Sequence, residues 1–140
     1  RDYKVTGVQT CALPICVHMP WELDSDRPIY AQIVDRLKHE IVSGFYPPGS
    51  RLPSVRDLAA QASVNPNTMQ KAFTELERTG LIVTRRTSGR TVTEDTALIE
   101  QVRSELAELQ ISQFLTRMQH LGYQKDDSIR LLLAKKEEIS

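Results

Sequence analysis

The sequence predicts a mainly α-helical fold with one small β-hairpin, followed by a helical tail. Between residues 28 and 80, apolar side chains recur at helical spacing in three segments separated by proline, glycine and serine. Two short runs rich in β-branched residues then flank a Thr-Ser-Gly turn, which is the pattern of a hairpin. A second series of apolar residues at helical spacing begins at Thr96 and predicts the tail.

The charges divide the chain into two regions. The 140 residues carry 18 basic and 18 acidic side chains, and this balance argues against a wholly basic nucleic-acid coat. Residues 44–94, however, hold seven basic and four acidic side chains, a local excess of three positive charges, whereas residues 97–140 hold six basic and seven acidic ones. The two regions are therefore expected to have different roles.

Residues 1–18 form a leader without helical or alternating periodicity, and they contain both cysteines, Cys11 and Cys16. Its segment VTGVQTCALPI resembles the translation of a common sequencing-adapter oligonucleotide. We therefore expect the leader to be non-native and disordered, with the natural chain beginning at Met19. Because the remaining chain lacks cysteine and has no apolar run that could cross a bilayer, we expect a cytoplasmic protein with no membrane association.

The first predicted helix follows Pro28, which suits a first helical turn, and the side chains of Asp24 and Asp26 offer N-cap oxygens. Gly44 is placed to end this helix in the left-handed conformation. The apolar residues between them repeat every four positions and predict an amphipathic helix of about fifteen residues: Ile29, Ile33, Leu37 and Ile41.

Two further helices are predicted from their caps. The second begins after the N-cap Ser54 and ends near Ala62. The third has Asn65 as N-cap and Pro66 as its first residue, and Gly80 stops it. Polar residues crowd the N-terminal half of this third helix: Asn67, Thr68, Gln70 and Lys71.

The hairpin and the tail complete the predicted order. Residues 81–85 and 90–93 are the expected strands, with a turn at 86–89 between them. From residue 96 the pattern suits one long helix or two joined helices, with a helix end near residues 121–123. The tail has too little mass to bury its own apolar stripe, so it is expected to pack on the first domain or on a second copy of the chain.

A short helix, a tight turn, a helix with polar residues first and a basic hairpin together predict a winged helix-turn-helix domain over residues 19–95, with a dimerisation tail over 96–140. The major groove of B-DNA accepts a helix of this kind, because its base edges present a full hydrogen-bonding code. The arginines of the hairpin, Arg85, Arg86 and Arg90, would extend the cationic surface.

Several separated blocks of this sequence resemble the N-terminal domain of GntR-family regulators. They are residues 28–33 (PIYAQI), 52–56 (LPSVR), 65–73 (NPNTMQKAF) and 80–82 (GLI), so the resemblance covers roughly residues 28–92. The short tail resembles the YtrA subfamily, whose members carry a small two-helix dimerisation region. The resemblance implies a dimeric repressor of its own operon and an adjacent transporter, bound to a double-stranded DNA operator. Release would need either an unknown small-molecule effector or a change in the geometry of the tail.

The resemblance also implies which residues contact DNA. The second helix would contribute one arginine, the third helix its polar half, and the wing tip two residues. Other branches of the family carry arginine where this chain has Pro66 and Gln70, and a glutamine amide suits adenine better than guanine. The implied contacts are Arg56, Asn65, Asn67, Thr68, Gln70, Lys71, Gly89 and Arg90.

Two alternatives remain open at this point. A winged helix could serve only as a protein-interaction module without DNA binding, and a neutral or acidic face around the third helix would favour that interpretation. Phe114, Met118 and Tyr123 could line a small-molecule pocket in the tail instead of a dimer seam. The sequence contains no catalytic constellation, phosphate loop or metal-ligand spacing, so we expect neither an enzyme nor a cofactor or metal site.

Overall fold

A computed structural model describes residues 20–139, and the leader hypothesis with Cys11 and Cys16 lies outside the described residues. The predicted mainly helical architecture with one hairpin is confirmed. The elements, in chain order, are α1 (Ile29–Val42), α2 (Val55–Ala62), α3 (Pro66–Thr79), β1 (Ile82–Arg85), β2 (Gly89–Val92), α4 (Thr96–His120) and α5 (Lys125–Ile139).

The start of α1 differs from the prediction. Pro28 occupies the N-cap position and no side chain caps it within the described chain, so the expected capping by Asp24 and Asp26 is wrong. The buried side chain of Gln32 ties down the entering segment instead. Its Nε2 donates to the carbonyl oxygens of Asp24 at 2.7 Å and Arg27 at 3.0 Å, and its Oε1 accepts from the Asp24 amide at 2.7 Å. A buried amide satisfied at both ends thereby replaces a surface cap.

The α2–α3 turn follows the predicted capping. Ser54 Oγ accepts a hydrogen bond from the Asp57 amide at 3.0 Å, and Asn65 Oδ1 accepts one from the Asn67 amide at 2.7 Å. Between the helices, Ser63 has φ 57°, the left-handed conformation that reverses the chain after α2. Local side-chain chemistry therefore determines both helix starts.

The hairpin is antiparallel, with Ile82 opposite Val92 at its base. The preceding loop also pairs with it, because the Leu52 amide donates to the Arg90 carbonyl at 2.9 Å and the Val92 amide donates to the Ser50 carbonyl at 2.9 Å. An isolated antiparallel bridge joins residues 51 and 91. This third strand-like segment was not predicted. It places Arg51 beside the β1–β2 hairpin, which is the wing of the predicted winged helix.

One core joins the three helices of the first region to the hairpin. Phe73 and Leu76 of α3 are completely buried, and Ile99 near the start of α4 is 4% exposed. Side chains at the predicted helical spacing supply most of the remaining core: Ile33, Leu37 and Ile41 of α1, Leu58 of α2, Met69 of α3, and Leu81, Ile82 and Val92 around the hairpin.

The described chain divides into two compact units, residues 20–102 and residues 103–139, with α4 beginning in the first and ending in the second. In the second unit, Asp127 Oδ2 accepts from the Gln124 amide at 3.0 Å and caps the start of α5. None of the helices between residues 20 and 139 is long and apolar enough to cross a membrane. Large apolar side chains of this unit stay 42–73% exposed: Leu109, Ile111, Leu121, Tyr123, Ile129, Leu131, Leu132 and Leu133.

Candidate nucleic-acid interface

The N-terminal half of α3 presents a polar face. At about 100° per residue, Asn67, Gln70 and Lys71 lie on one side of the helix and Met69 lies on the opposite side. All three polar residues are exposed, whereas Met69 is fully buried. Thr68 lies at the edge of this face and is half-buried. The face is therefore free of core contacts and has the width of a single helix, as a major-groove reader requires.

Lys71 is held toward α1. Its Nζ lies 4.0 Å from the centre of the Tyr30 ring, which is a cation–π contact worth about 0.5–1 kcal/mol at an exposed site. The side chain remains exposed, so the ammonium charge stays on the surface of the unit. Tyr30 thereby limits the positions that this charge can take.

Gln70 and Arg90 meet between α3 and the wing. Arg90 Nη2 donates to Gln70 Oε1 at 3.4 Å, and on the other side Gln70 Nε2 donates to Thr74 Oγ1 at 3.3 Å. The Thr74 hydroxyl in turn donates to the Gln70 carbonyl at 3.0 Å. Both ends of the Gln70 amide are therefore engaged within the protein.

Glu77 anchors Arg90 from the other side. Its Oε1 accepts from Arg90 Nε at 3.5 Å, its Oε2 accepts from the hydroxyl of Thr84, and the Arg90 guanidinium lies 5.3 Å from the centre of the Phe73 ring. Thr84 and Arg90 face each other across the hairpin, so a single carboxylate binds both strands of the wing to α3. Arg90 therefore turns its charge onto α3.

Arg51 brings a positive charge to the hairpin beside Gly89, and these two residues are called the cationic wing corner. A Cβ built on Gly89, which has φ 72°, would lie 3.8 Å from Arg51 Nε, so the guanidinium rests against the wing tip. Arg51 is exposed and makes no ion pair with any residue of the described chain. A pocket of about 310 Å³ lies here, lined by Arg51, Leu52, Pro53, Ser54, Val55, Asp57, Gly89 and Arg90.

Comparison with known proteins assigns the chain to a family. Residues 29–92 match the family described as bacterial regulatory proteins, gntR family. The HTH-type transcriptional regulator YhcF of Bacillus subtilis is 35% identical over 108 residues, which are 77% of this chain and 89% of YhcF. The chain belongs to the GntR family. Members of this family are DNA-binding transcriptional regulators.

Two further relatives are similar over longer stretches of the chain. The transcriptional repressor YtrA of B. subtilis is 40% identical over 100 residues, covering 70% of this chain and 76% of YtrA. A solved structure of a GntR family transcriptional regulator from Listeria monocytogenes is 39% identical with a TM-score of 0.70. It covers 84% of this chain and 100% of that one. The similarity therefore extends beyond residues 29–92.

The structure places the eight predicted site residues in the first unit. Gln70 and Arg90 are joined by a side-chain hydrogen bond, and Asn65 caps the helix that carries the α3 residues. Arg56 lies exposed on α2, next to the half-buried Val55. Arg51 was missed by sequence reasoning, because only the pairing of its segment with β2 brings it to Gly89.

The acidic residues of α3 are confined to its C-terminal half. Glu77 binds Arg90, and Glu75 accepts hydrogen bonds from Arg78, which lower the pKa of the Glu75 carboxyl below its ordinary value. The N-terminal half contains Lys71 and no acid, and the partial positive charge of the helix dipole lies at the same end. The end of α3 that carries the polar face is therefore electropositive.

Proposed function

We propose that this GntR-family regulator binds a double-stranded DNA operator as a homodimer and represses its own operon and an adjacent transporter gene. The observation that carries the proposal is the exposed polar face of α3, electropositive at its N-terminal end and flanked by the cationic wing corner. The repressor YtrA supports the sign of regulation, because it is 40% identical to this chain over 100 residues. Such a protein acts where the DNA is, in the cytoplasm.

The proposed DNA-binding surface has three parts. Arg56 approaches from α2, and Gly89 allows the wing backbone to come close to a phosphate, as a residue without a side chain can. Arg51 adds a cation beside Gly89. The α3 part, which enters the major groove, consists of Asn65, Asn67, Thr68, Gln70 and Lys71. Arg90 is bound to Gln70 and Glu77.

The proposed dimer is formed by the tail. Its eight large apolar side chains are 42–73% exposed in a single chain, and Leu131, Leu132 and Leu133 are consecutive residues of α5. An apolar surface of this kind on a small helical unit is characteristic of an interface, because burial of each large side chain contributes about 1.5–3 kcal/mol. A second copy supplies an identical apolar surface, and a two-fold axis then presents two α3 helices to half-sites about 34 Å apart.

An effector that releases the DNA is part of the proposal, and a pocket of about 440 Å³ within the second unit is a place for it. Of Phe114, Met118 and Tyr123, only Tyr123 lines this pocket. The lining presents polar and apolar surface in similar measure, which would suit a small ligand that has both: Ser112, Leu115, Thr116, Gln119, Tyr123, Gln124, Lys125 and Asp126.

The protein-interaction alternative makes the opposite electrostatic prediction. A face that binds only protein needs no cations around the leading end of α3, whereas Arg51, Arg56 and Lys71 all lie exposed in this unit. The pocket beside the wing is lined by two basic residues, Arg51 and Arg90, and by one acidic residue, Asp57. The charges therefore favour DNA, and salt dependence of binding separates the two proposals.

The test is a binding titration on the DNA upstream of the protein's own gene. We expect salt-dependent binding, and we expect Arg56→Ala to weaken it by about 1–3 kcal/mol, which is roughly 5- to 150-fold. Arg78→Ala is the matched control, because it removes an exposed cation from the far end of α3 that is already paired with Glu75. Binding without salt dependence, or equal binding by the Arg56 variant, would reject the proposed contact surface.

Asn65 allows the helix cap and the DNA contact to be separated. Asn65→Ala removes the acceptor of the Asn67 amide and should cost about 1 kcal/mol of unfolding free energy in a urea melt. Asn65→Asp keeps the acceptor, so stability should be close to wild type. The added negative charge should nevertheless repel phosphate and lower DNA affinity. An aspartate variant that binds DNA as tightly as wild type would show that no phosphate approaches this helix end.

A further inference from the structure

We propose that Arg90 is a positioning residue that sets the orientation of the Gln70 amide, and thereby the direction in which Gln70 reads one base pair. The inference rests on the proposed DNA binding and deepens it. It assigns Arg90 a role other than the direct DNA contact implied by family resemblance. The chain of side chains Glu77–Arg90–Gln70–Thr74 carries it.

The donors on either side determine the orientation of the Gln70 amide. A guanidinium has donors and no acceptor, so the amide atom that faces Arg90 must be the oxygen. At the other end, the Thr74 hydroxyl donates its proton to the backbone carbonyl of Gln70 at 3.0 Å. Its Oγ1 can therefore only accept a hydrogen bond from the side chain of Gln70, and the donor is Nε2. The C=O group therefore faces the wing and the NH₂ group faces Thr74.

Arg90 can hold this orientation because its own position is constrained. Its guanidinium pairs with Glu77 at 3.5 Å and lies 5.3 Å from the centre of the buried Phe73 ring. The two charged side chains are only 27% and 29% exposed, so their attraction is screened less than that of a surface pair. A guanidinium held in this way is turned away from a direct reading of guanine and toward Gln70.

The fixed amide has a consequence for base recognition. Glutamine reads adenine with one acceptor for N6–H and one donor for N7, and these two groups occur in opposite order for A·T and T·A. Gln70 keeps one lone pair on Oε1 and one proton on Nε2 for this purpose. A free amide can flip and read either order, whereas the amide held by Arg90 reads one. Arg90 therefore selects between A·T and T·A at the base pair that Gln70 contacts.

The experiment is selection from a randomised duplex library, with sequencing of the DNA retained by the full-length wild type, by three test variants and by one control variant. Gln70→Ala identifies the base pair that Gln70 reads. Arg90→Met keeps an unbranched stem over Phe73 but has no donor, and Glu77→Gln removes the charge that holds Arg90 while leaving an amide oxygen for Thr84. Arg86→Ala is the control, since Arg86 is an exposed cation of the same wing.

We expect Gln70→Ala to abolish base preference at one position in each half-site. Arg90→Met should relax that same position, so that the ratio of the preferred pair to its inverted pair falls toward one from the roughly 5- to 150-fold that a bidentate contact provides. Glu77→Gln should relax the same position to a smaller extent. Other positions should keep their preferences in both variants, and Arg86→Ala should leave this position unchanged.

Three results would overturn the inference while leaving the proposed function intact. Relaxation at a different position in Arg90→Met means that Arg90 contacts a base itself. An even loss of affinity for all sequences, with a salt slope reduced by about one, means that Arg90 contacts a phosphate. An unchanged profile for Gln70→Ala means that Gln70 reads no base. A wild type that enriches no sequence overturns the proposed function, and the inference with it.

Discussion

Replacing Leu132 with glutamate should convert the protein to a monomer and lower its operator affinity by about a hundredfold or more. Leu132 is 52% exposed in the single chain, so a charge there costs little until a second copy covers the α5 surface. Without the partner, each winged helix binds its half-site alone. The high effective concentration that links the two binding events is then lost.

Two measurements check this expectation. Analytical ultracentrifugation should give the monomer mass for Leu132→Glu and the dimer mass for wild type, and a titration should show the loss of affinity on a two-half-site operator. Arg130→Glu is the matched control, because Arg130 is 70% exposed on the same helix and lies about 200° around it from Leu132. A variant at Leu132 that keeps the dimer mass and wild-type affinity would remove α5 from the proposed interface.

The largest loss of stability is expected from Phe73→Ala. Phe73 is fully buried on the core face of α3, and deletion of a buried phenylalanine side chain costs about 3–5 kcal/mol. The whole free energy of unfolding of a domain is only about 5–15 kcal/mol. The transition in urea should therefore move to a much lower concentration, with DNA binding lost along with the fold.

Phe73→Leu separates packing from the aromatic ring. Leucine refills much of the space that alanine leaves empty, so this variant should lose less stability than Phe73→Ala and the unit should stay folded. Arg90 would nevertheless lose the ring beside its guanidinium, and the base preference attributed to Gln70 should relax slightly. A loss below about 1 kcal/mol in Phe73→Ala would mean that this side chain does not hold α3 in the core as its burial indicates.

The helices of the first unit were predictable because their signals are local. The side chains of Ser54 and Asn65 each accept a hydrogen bond from a backbone amide at most three residues away. Pro66 lies in the first turn of α3, where a backbone N–H would have no partner within the helix. Periodic apolar residues likewise placed Leu37 and Phe73 inside the core. The start of α1 was predicted incorrectly, because the segment before it is held by the buried side-chain amide of Gln32, which binds the backbone of Asp24 eight residues earlier. Sequence patterns for helix caps do not include a contact over that distance.

The sequence predicted which residues belong to the candidate site, but it did not predict which of them contact each other. Patterns of polar residues identified which side chains of α3 face outward, since helical periodicity alone separates the faces. The contact of Arg90 with Gln70 spans twenty positions in the sequence, and that of Arg51 with Gly89 depends on the pairing of a loop with β2. Neither contact leaves a local signal in the sequence.

The sequence by itself determined the order of helices, the turn between α2 and α3, the hairpin and the polar face of α3, because caps, periodicity and turn residues act within a few positions. Only the tertiary structure decided where the charges of the wing point. Arg90 turns inward to Glu77 and Arg51 comes to lie against Gly89, because the pairing of β2 with its two neighbours sets which side chains become close.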